Sequence, residues 1–335
     1  MGIAKGAARI LLKESRRRPF SGRVLVLGKQ DVYFDYETLE KAACDFGVEL
    51  CKSRPVSLSL KPELAALNYI SDESFFLSLG FSEYAALDYS DYESADYVFD
   101  LNRSDLPSRL TESFDFIADC GTIEHVFHLP NAFGNIFRML KSSGRVVHLA
   151  PSSNYMDHGF YMFSPTLFWD FYAANKFDIN AFQVIRHTIN AHTDPWEASD
   201  YQPGCLEAVS FGGLDDGMYG ILCIATKTDE STGDAIPQQH YFVKRWTPQE
   251  IVTPPAPEAE VIAERVAGNV LDYVPASSYY QQIKNGIRQI PALYKMLRIP
   301  FRFGRFLKTS TQRQQPPPPP EEIKRGLRLE IVDRY

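Results

Sequence analysis

The chain has 335 residues, of which 44% are hydrophobic and 23% charged, a balance that supports a sizeable core and excludes a wholly disordered chain. Its formal net charge of -7 argues against nucleic acid as the main partner, because phosphate binding draws on basic surface. No stretch reaches the roughly 18 consecutive apolar residues of a membrane-spanning helix. The five cysteines, Cys44, Cys51, Cys120, Cys205 and Cys223, form neither a CxxC pair nor a Cys/His cluster of metal-ligand spacing, so they are expected to be reduced, mostly buried thiols, and no metal is expected.

Residues 1–20 read as a basic amphipathic helix without the apolar run and small-residue cleavage site of a signal peptide, which makes the cytoplasm the default compartment. From residue 23 to 150 short apolar runs alternate with segments of helical spacing, the pattern of a parallel sheet with crossover helices. Arg23 to Leu27 is a buried strand ending at Gly28, and Asp35 to Phe46 follows as a helix with Leu39, Ala42, Ala43 and Phe46 on one face. Tyr84 to Asp88, Tyr97 to Asp100 and Phe114 to Asp119 are the next strands. Leu129 to Leu140 is a helix with Phe133, Ile136, Phe137 and Leu140 on one face, terminated by Ser142-Ser143-Gly144. Arg145 to Ala150 is the fifth strand, stopped by Pro151, and Thr166 to Asn175 is helical. Ala181 to Arg186 and Tyr219 to Thr226 are the last two strands. The insertion between them, about 188–217, is expected to project as a cap and to offer substrate contacts. The expected fold is therefore α/β, a Rossmann-like doubly wound sheet, mostly parallel with an antiparallel last strand, over 21–228.

Beyond residue 228 the character changes. Residues 229–260, with Thr253-Pro254-Pro255-Ala256-Pro257, read as a linker, 261–310 as a basic amphipathic helical segment and 311–335 as a proline-rich tail with five consecutive prolines at 316–320. Between 284 and 308 lie Lys284, Arg288, Lys295, Arg298, Arg302, Arg305 and Lys308 without an acidic residue, interleaved with apolar side chains. The plain interpretation is a pair of helices with solvated charges; the sharper one is a peripheral contact with an anionic membrane surface or a protein.

In an open parallel sheet the ligand lies beyond the carboxyl ends of the strands, near the point where strand order reverses, so the strand-ending residues are the candidates. Gly28 can bring backbone close to a ligand or simply turn the chain. Asp88 can accept hydrogen bonds from both hydroxyls of a ribose, or be a solvated acid beside Asp91 and Glu93. Asp100 with Leu101 can offer a polar and an apolar contact to an adenine, and Asp100 reads equally as a turn or cap aspartate.

The most specific pattern is Phe114-Asp115-Phe116-Ile117-Ala118-Asp119-Cys120-Gly121-Thr122-Ile123-Glu124-His125-Val126, continuing to Arg138-Met139-Leu140-Lys141-Ser142-Ser143-Gly144. It resembles the corresponding block of the Rossmann-like, type 11-like S-adenosylmethionine-dependent methyltransferases, and the resemblance spans about residues 23–228. It implies S-adenosylmethionine as cofactor, with Gly28 near its methionine part, Asp88 at the ribose, Asp100 and Leu101 at the adenine, and Cys120 and Gly121 along the cleft. One departure is evident. The family's loop carries an acid and three spaced glycines, whereas here Val26 replaces the acid and Gln30 and Val32 stand where the second and third glycines belong. Lys29, Gln30 and Asp31 are then expected to supply side-chain contacts to the amino-acid end of the cofactor.

Methyl transfer needs in-line positioning rather than a nucleophilic side chain. If the acceptor is a hydroxyl, a base helps, and the loop after the fifth strand offers Asn154, Tyr155, Asp157 and His158, with His158 the candidate. His125 is expected to be structural, and His187 and His192 carry no assignment. The expected acceptor is a small molecule or glycan. A different class of function, a non-catalytic scaffold on the same fold, agrees with the altered glycine loop. The chain has neither a P-loop nor a nucleophile elbow nor the G-x-G-x-x-G of a dinucleotide site, which disfavours kinases, hydrolases and dehydrogenases.

Overall fold

A computed structural model describes residues 2–210, 212–246 and 331–335. The first five strands are β1 (Arg23–Leu27), β2 (Glu83–Asp88), β3 (Tyr97–Val98), β4 (Phe114–Asp119) and β5 (Leu140–Pro151), all parallel. They are followed by β6 (Asp178–His187), β7 (Glu197–Asp200), β8 (Met218–Thr226) and β9 (Ile331–Arg334). The strands lie in the order β3-β2-β1-β4-β5-β8-β6-β7-β9, and β8 enters antiparallel between β5 and β6. The direction of strand addition reverses between β1 and β4, which makes the fold Rossmann-like and puts the switch point there.

Alternating side chains explain why β1 is apolar throughout. Val24 and Val26 join a core layer on one face with Phe116, Ala118, Val147, Leu149, Leu222 and Ile224. Leu25 and Leu27 join a layer on the other face with Ile117, Val146, Ile221 and Cys223. A sheet covered on both faces requires strands that are apolar on both. Helices α1 (Lys5–Arg17), α2 (Tyr36–Phe46) and α4 (Asp72–Ser78) cover the first face, preceded on the way to β2 by the short α3 (Pro62–Ala65). Helices α5 (Leu129–Met139) and α6 (Pro165–Ala174) cover the second, and α7 (His240–Trp246) ends the continuous description.

The expected basic amphipathic helix near the start of the sequence is α1, and its apolar face packs into the domain. Ala7, Ile10, Leu11 and Leu12, with Ile3 just before the helix, are in the first core layer. The buried Glu14 accepts a 2.5 Å hydrogen bond from Arg145 on β5, whose guanidinium also donates to the carbonyls of Arg18 and Pro19.

Three other expectations change. Ser142 to Gly144 do not cap α5. The helix stops at Met139, Leu140 is already extended, and the pairing of β5 with β4 shifts register between Phe114 and Phe116, with Ser143 at φ +63°. A strand can absorb extra residues as a bulge without losing its place in the sheet. The 188–217 insertion is not wholly a cap, because its β7 pairs antiparallel with the edge of β6. Within the stretch read as a proline-rich tail, residues 331–335 join the sheet: β9 pairs with β7, Trp196 and Tyr335 exchange backbone hydrogen bonds of 2.7 Å, and Lys13 of α1 pairs with Asp333.

Residues 229–239 likewise lie on the domain, with Thr232 and Ala235 bonded to Asn175, and the backbone N–H of His240 donates to Asp170. Residues 253–257, the basic segment 284–308 and the prolines 316–320 fall outside the described residues. No helix among the described residues is long and apolar enough to cross a membrane.

The cysteines divide differently from expectation. Cys44, Cys51 and Cys205 are exposed; only Cys120 and Cys223 are buried. Burial pushes the Cys120 thiol up to about 12 and that of Cys223 higher still, which suppresses the reactive thiolate. With a thiol-specific chromogenic reagent at pH 8, we expect three thiols per native chain to react promptly and the other two only after denaturant is added. Five prompt thiols would contradict this core.

Candidate functional site

At the switch point, beyond the carboxyl ends of β1, β2 and β4, lies a cleft of about 470 Å³, within the size range of small-molecule sites. Leu87, Phe99, Leu101 and Val126 give it an apolar wall, and Asp88, Asp100 and Asn102 a polar one. Gly28, Gly121 and Thr122 close the inner end, while Asp31, Tyr33, Lys61 and Glu93 stand on another side. Lys61 pairs with Asp31 at 2.8 Å and Glu93 at 2.9 Å, and these two carboxylates raise its pKa.

The loop after β1 achieves its tight turn with a single glycine. Gly28 has φ +68°, and a Cβ there would sit 2.9 Å from Thr122 Oγ1. Thr122 in turn donates a 2.5 Å hydrogen bond to the carbonyl of Leu27, fastening the β4 loop to the β1 loop. Gly28→Ala is therefore expected to cost about 1–2 kcal/mol from the left-handed backbone alone, read by urea unfolding. A loss well below that range would mean that this turn relaxes freely.

Side chains replace the missing glycines by bonding within the loop. Gln30 donates from Nε2 to the carbonyls of Leu27 and Gly28, its backbone N–H donates to Asp72, and its Oε1 is buried without a partner among the described residues. Lys29 Nζ lies 3.2 Å from both Asp72 Oδ1 and the Tyr84 hydroxyl. The contacts expected from Lys29, Gln30 and Asp31 toward a ligand are thus made largely to neighbouring protein groups, although all three residues line the cleft.

Of the strand-ending candidates, Asp88 accepts from the backbone N–H of Tyr89 at 2.6 Å and of Lys29 at 3.3 Å. Asp100 caps its own turn, its Oδ1 accepting from the backbone and side-chain amides of Asn102 at 2.9 and 2.8 Å. Gly121 and Leu101 line the cleft, and Leu101 also packs into the second core layer. Cys120 is 1% exposed and faces the first core layer rather than the cleft, because adjacent residues at a strand end point to opposite sides.

Sequence reasoning gave no role to Asp119 and Glu124. Asp119 is fully buried. Its Oδ1 accepts from the backbone N–H groups of Thr122 and Ile123, and its Oδ2 is 2.6 Å from His148 Nδ1, whose Nε2 is 2.5 Å from the Tyr172 hydroxyl. This chain holds the β4 loop in shape from inside the core.

Glu124 lies on the single turn of helix that follows, at Ile123–His125, and is fully buried. Neither of its carboxylate oxygens has a hydrogen-bond partner among the described residues. Burial first, and then the charge of Asp119, push its pKa up to about 8. His158 Nε2 is 3.5 Å and His125 Nε2 3.8 Å from Glu124 Oε1. Burial lowers the pKa of both imidazoles. His158, the candidate base, thus sits beside a buried carboxyl rather than free on the surface, and His125 lines the cleft. His187 and His192 are engaged elsewhere: His187 Nε2 is 2.7 Å from the Tyr155 hydroxyl, its ring stacks on Trp196, and His192 stacks on Tyr33. None of the described residues of the 188–217 insertion lines the cleft.

No family model and no curated protein matches this chain. Among solved structures it is similar to the YcgJ protein from Bacillus subtilis, at 14% identity and TM-score 0.34, covering 66% of this chain and 98% of that one. It is also similar to a SAM-dependent methyltransferase from Archaeoglobus fulgidus, at 14% identity and TM-score 0.32, covering 65% and 94%. A geranyl diphosphate methyltransferase in complex with SAM is 15% identical with TM-score 0.33, covering 67% and 85%.

Proposed function

We propose that the protein is an enzyme that binds S-adenosylmethionine in the switch-point cleft and transfers its methyl group to a small-molecule or glycan acceptor, at an oxygen. The observation that carries this reading is the coincidence of Asp88, Asp100, Leu101, Gly28 and Gly121 on one cleft beyond the strand ends. An adenosyl group needs an anionic acceptor for its ribose hydroxyls, an apolar slot for its base, and a backbone that approaches closely at the sulfonium end. Asp88, the Phe99–Leu101 wall and the turn at Gly28 match those needs in that order. Gln30, whose Oε1 is buried without a partner among the described residues, also lines this cleft.

When bound, the cofactor supplies an electrophilic methyl on a positively charged sulfur. The chain's own contribution is to hold the adenosine edge and to set the imidazole of His125 on the cleft wall, with His158 close by at the Glu124 carboxyl.

Calorimetric titration of the full chain with S-adenosylmethionine and S-adenosylhomocysteine tests the reading, and saturable one-site binding of either is the expected result. Absence of binding at millimolar ligand would overturn it and favour the scaffold, a reading the side-chain-filled loop at Lys29 and Gln30 makes physically reasonable.

A further inference from the structure

The carboxyl of Glu124 poses a physical problem. A carboxylate removed from water is ordinarily hydrogen-bonded, paired or coordinated, because leaving it bare costs more than any one contact returns. Here the side chain is 0% exposed, both oxygens lack a hydrogen-bond partner among the described residues, and two imidazole nitrogens stand 3.5 and 3.8 Å from Oε1. The donor atoms of Glu124, His125 and His158 all lie within 4.8 Å of one another. Ligands about 2.0–2.2 Å from a tetrahedral ion are separated by about 3.4 Å, close to the 3.5 and 3.8 Å found between Glu124 Oε1 and the two Nε2 atoms.

The arrangement is built rather than incidental. Glu124 and His125 stand on a turn whose first amides are held by Asp119. His158 comes from a separate loop that folds down over them: Tyr161 N–H donates to the Glu124 carbonyl at 3.2 Å and His158 N–H to the Tyr155 carbonyl at 3.0 Å. A Cβ at Gly159 would fall 2.9 Å from the Glu124 carbonyl oxygen and 3.0 Å from its Cγ, so the loop reaches this position only because residue 159 is glycine. Asn154, at φ +70°, anchors the loop's start by donating to the carbonyl of Gly217.

We propose that Glu124, His125 and His158 bind a divalent first-row transition-metal ion at the edge of the cleft. Two imidazoles and a carboxylate suit zinc, cobalt, manganese or iron, whereas calcium and magnesium prefer sites made of oxygen. Three protein ligands leave a coordination position open, as in catalytic rather than structural sites. His125 is shared by this cluster and the cleft wall, which puts the ion beside the cleft. On the methyl-transfer reading, on which this role though not the binding depends, the ion binds the acceptor's hydroxyl oxygen and lowers its pKa, so that its proton passes to solvent and the metal-bound oxygen receives the methyl, which narrows the acceptor to a hydroxyl compound able to bind the ion.

The test is titration of chelator-treated full-length protein with Co²⁺, without any adenosyl ligand, following visible ligand-field absorption and competition by Zn²⁺. We expect one Co²⁺ per chain, displaced by Zn²⁺. We also expect affinity reduced about tenfold or more in Glu124→Gln and in His158→Ala and unchanged in His192→Gln, a histidine outside the cluster. His158→Ala removes a partly exposed side chain, and its fold is checked by circular dichroism, so it carries the test even if Glu124→Gln is unstable. No saturable binding at millimolar Co²⁺, or equal affinity in His158→Ala and the wild type, would overturn the proposal. Adenosylhomocysteine binding is measured separately, so either conclusion can fail without the other.

Discussion

Asp88→Ala is expected to weaken binding of S-adenosylhomocysteine about tenfold or more. A hydrogen bond to a charged group contributes about 1.5–3 kcal/mol, and 1.4 kcal/mol corresponds to one decade in affinity. The carboxylate stands at the end of β2 on the cleft wall, held by the backbone N–H groups of Lys29 and Tyr89. Because it also steadies the loop after β1, the substitution can act by loosening that loop. Asp88→Asn, which keeps an acceptor oxygen, serves as the control and should lose less. Calorimetry on both variants, with their unfolding midpoints, separates the two contributions. Equal affinity in Asp88→Ala and the wild type would place the ribose elsewhere.

Glu14→Ala should show the largest loss of stability, about 3–5 kcal/mol in urea unfolding, the usual consequence of stranding one member of a buried ion pair. Arg145 would be left with only the carbonyls of Arg18 and Pro19, stacked over Phe20 and Phe116 in the first core layer. Replacing both partners, Glu14→Met with Arg145→Met, should cost considerably less, because no charge then remains buried. The comparison discriminates between a specific pair and general packing of α1. A loss under about 1 kcal/mol in Glu14→Ala would show that α1 is held by its apolar face alone.

The parallel half of the fold was legible because its signals are local. A buried parallel strand is an uninterrupted apolar run, and Arg23–Leu27 and Phe114–Asp119 match their expected limits. The helix over Leu129–Met139 announces itself by the spacing of Phe133, Ile136 and the residues around them. Strand-ending acids were readable for the same reason, since position at the end of an apolar run is a property of the sequence. What those acids do beyond lining the cleft was not, and Asp100 shows why: its hydrogen bonds to Asn102 serve the turn, whatever a ligand adds.

By itself, the sequence determined the alternation of strands and helices, hence a two-faced sheet with its cleft beyond the strand ends. The tertiary structure decided whatever depends on residues far apart in the chain. Strand β9 has a partner only because β7 offers an open edge, and α1 is tied to β5 where Arg145 meets Glu14. The grouping of Glu124 and His125 with His158 is likewise invisible as a spacing motif, since the two loops meet only when Gly159 lets one lie on the other. Periodicity reports which face of an element is buried; it carries no record of which distant side chain arrives to share that burial.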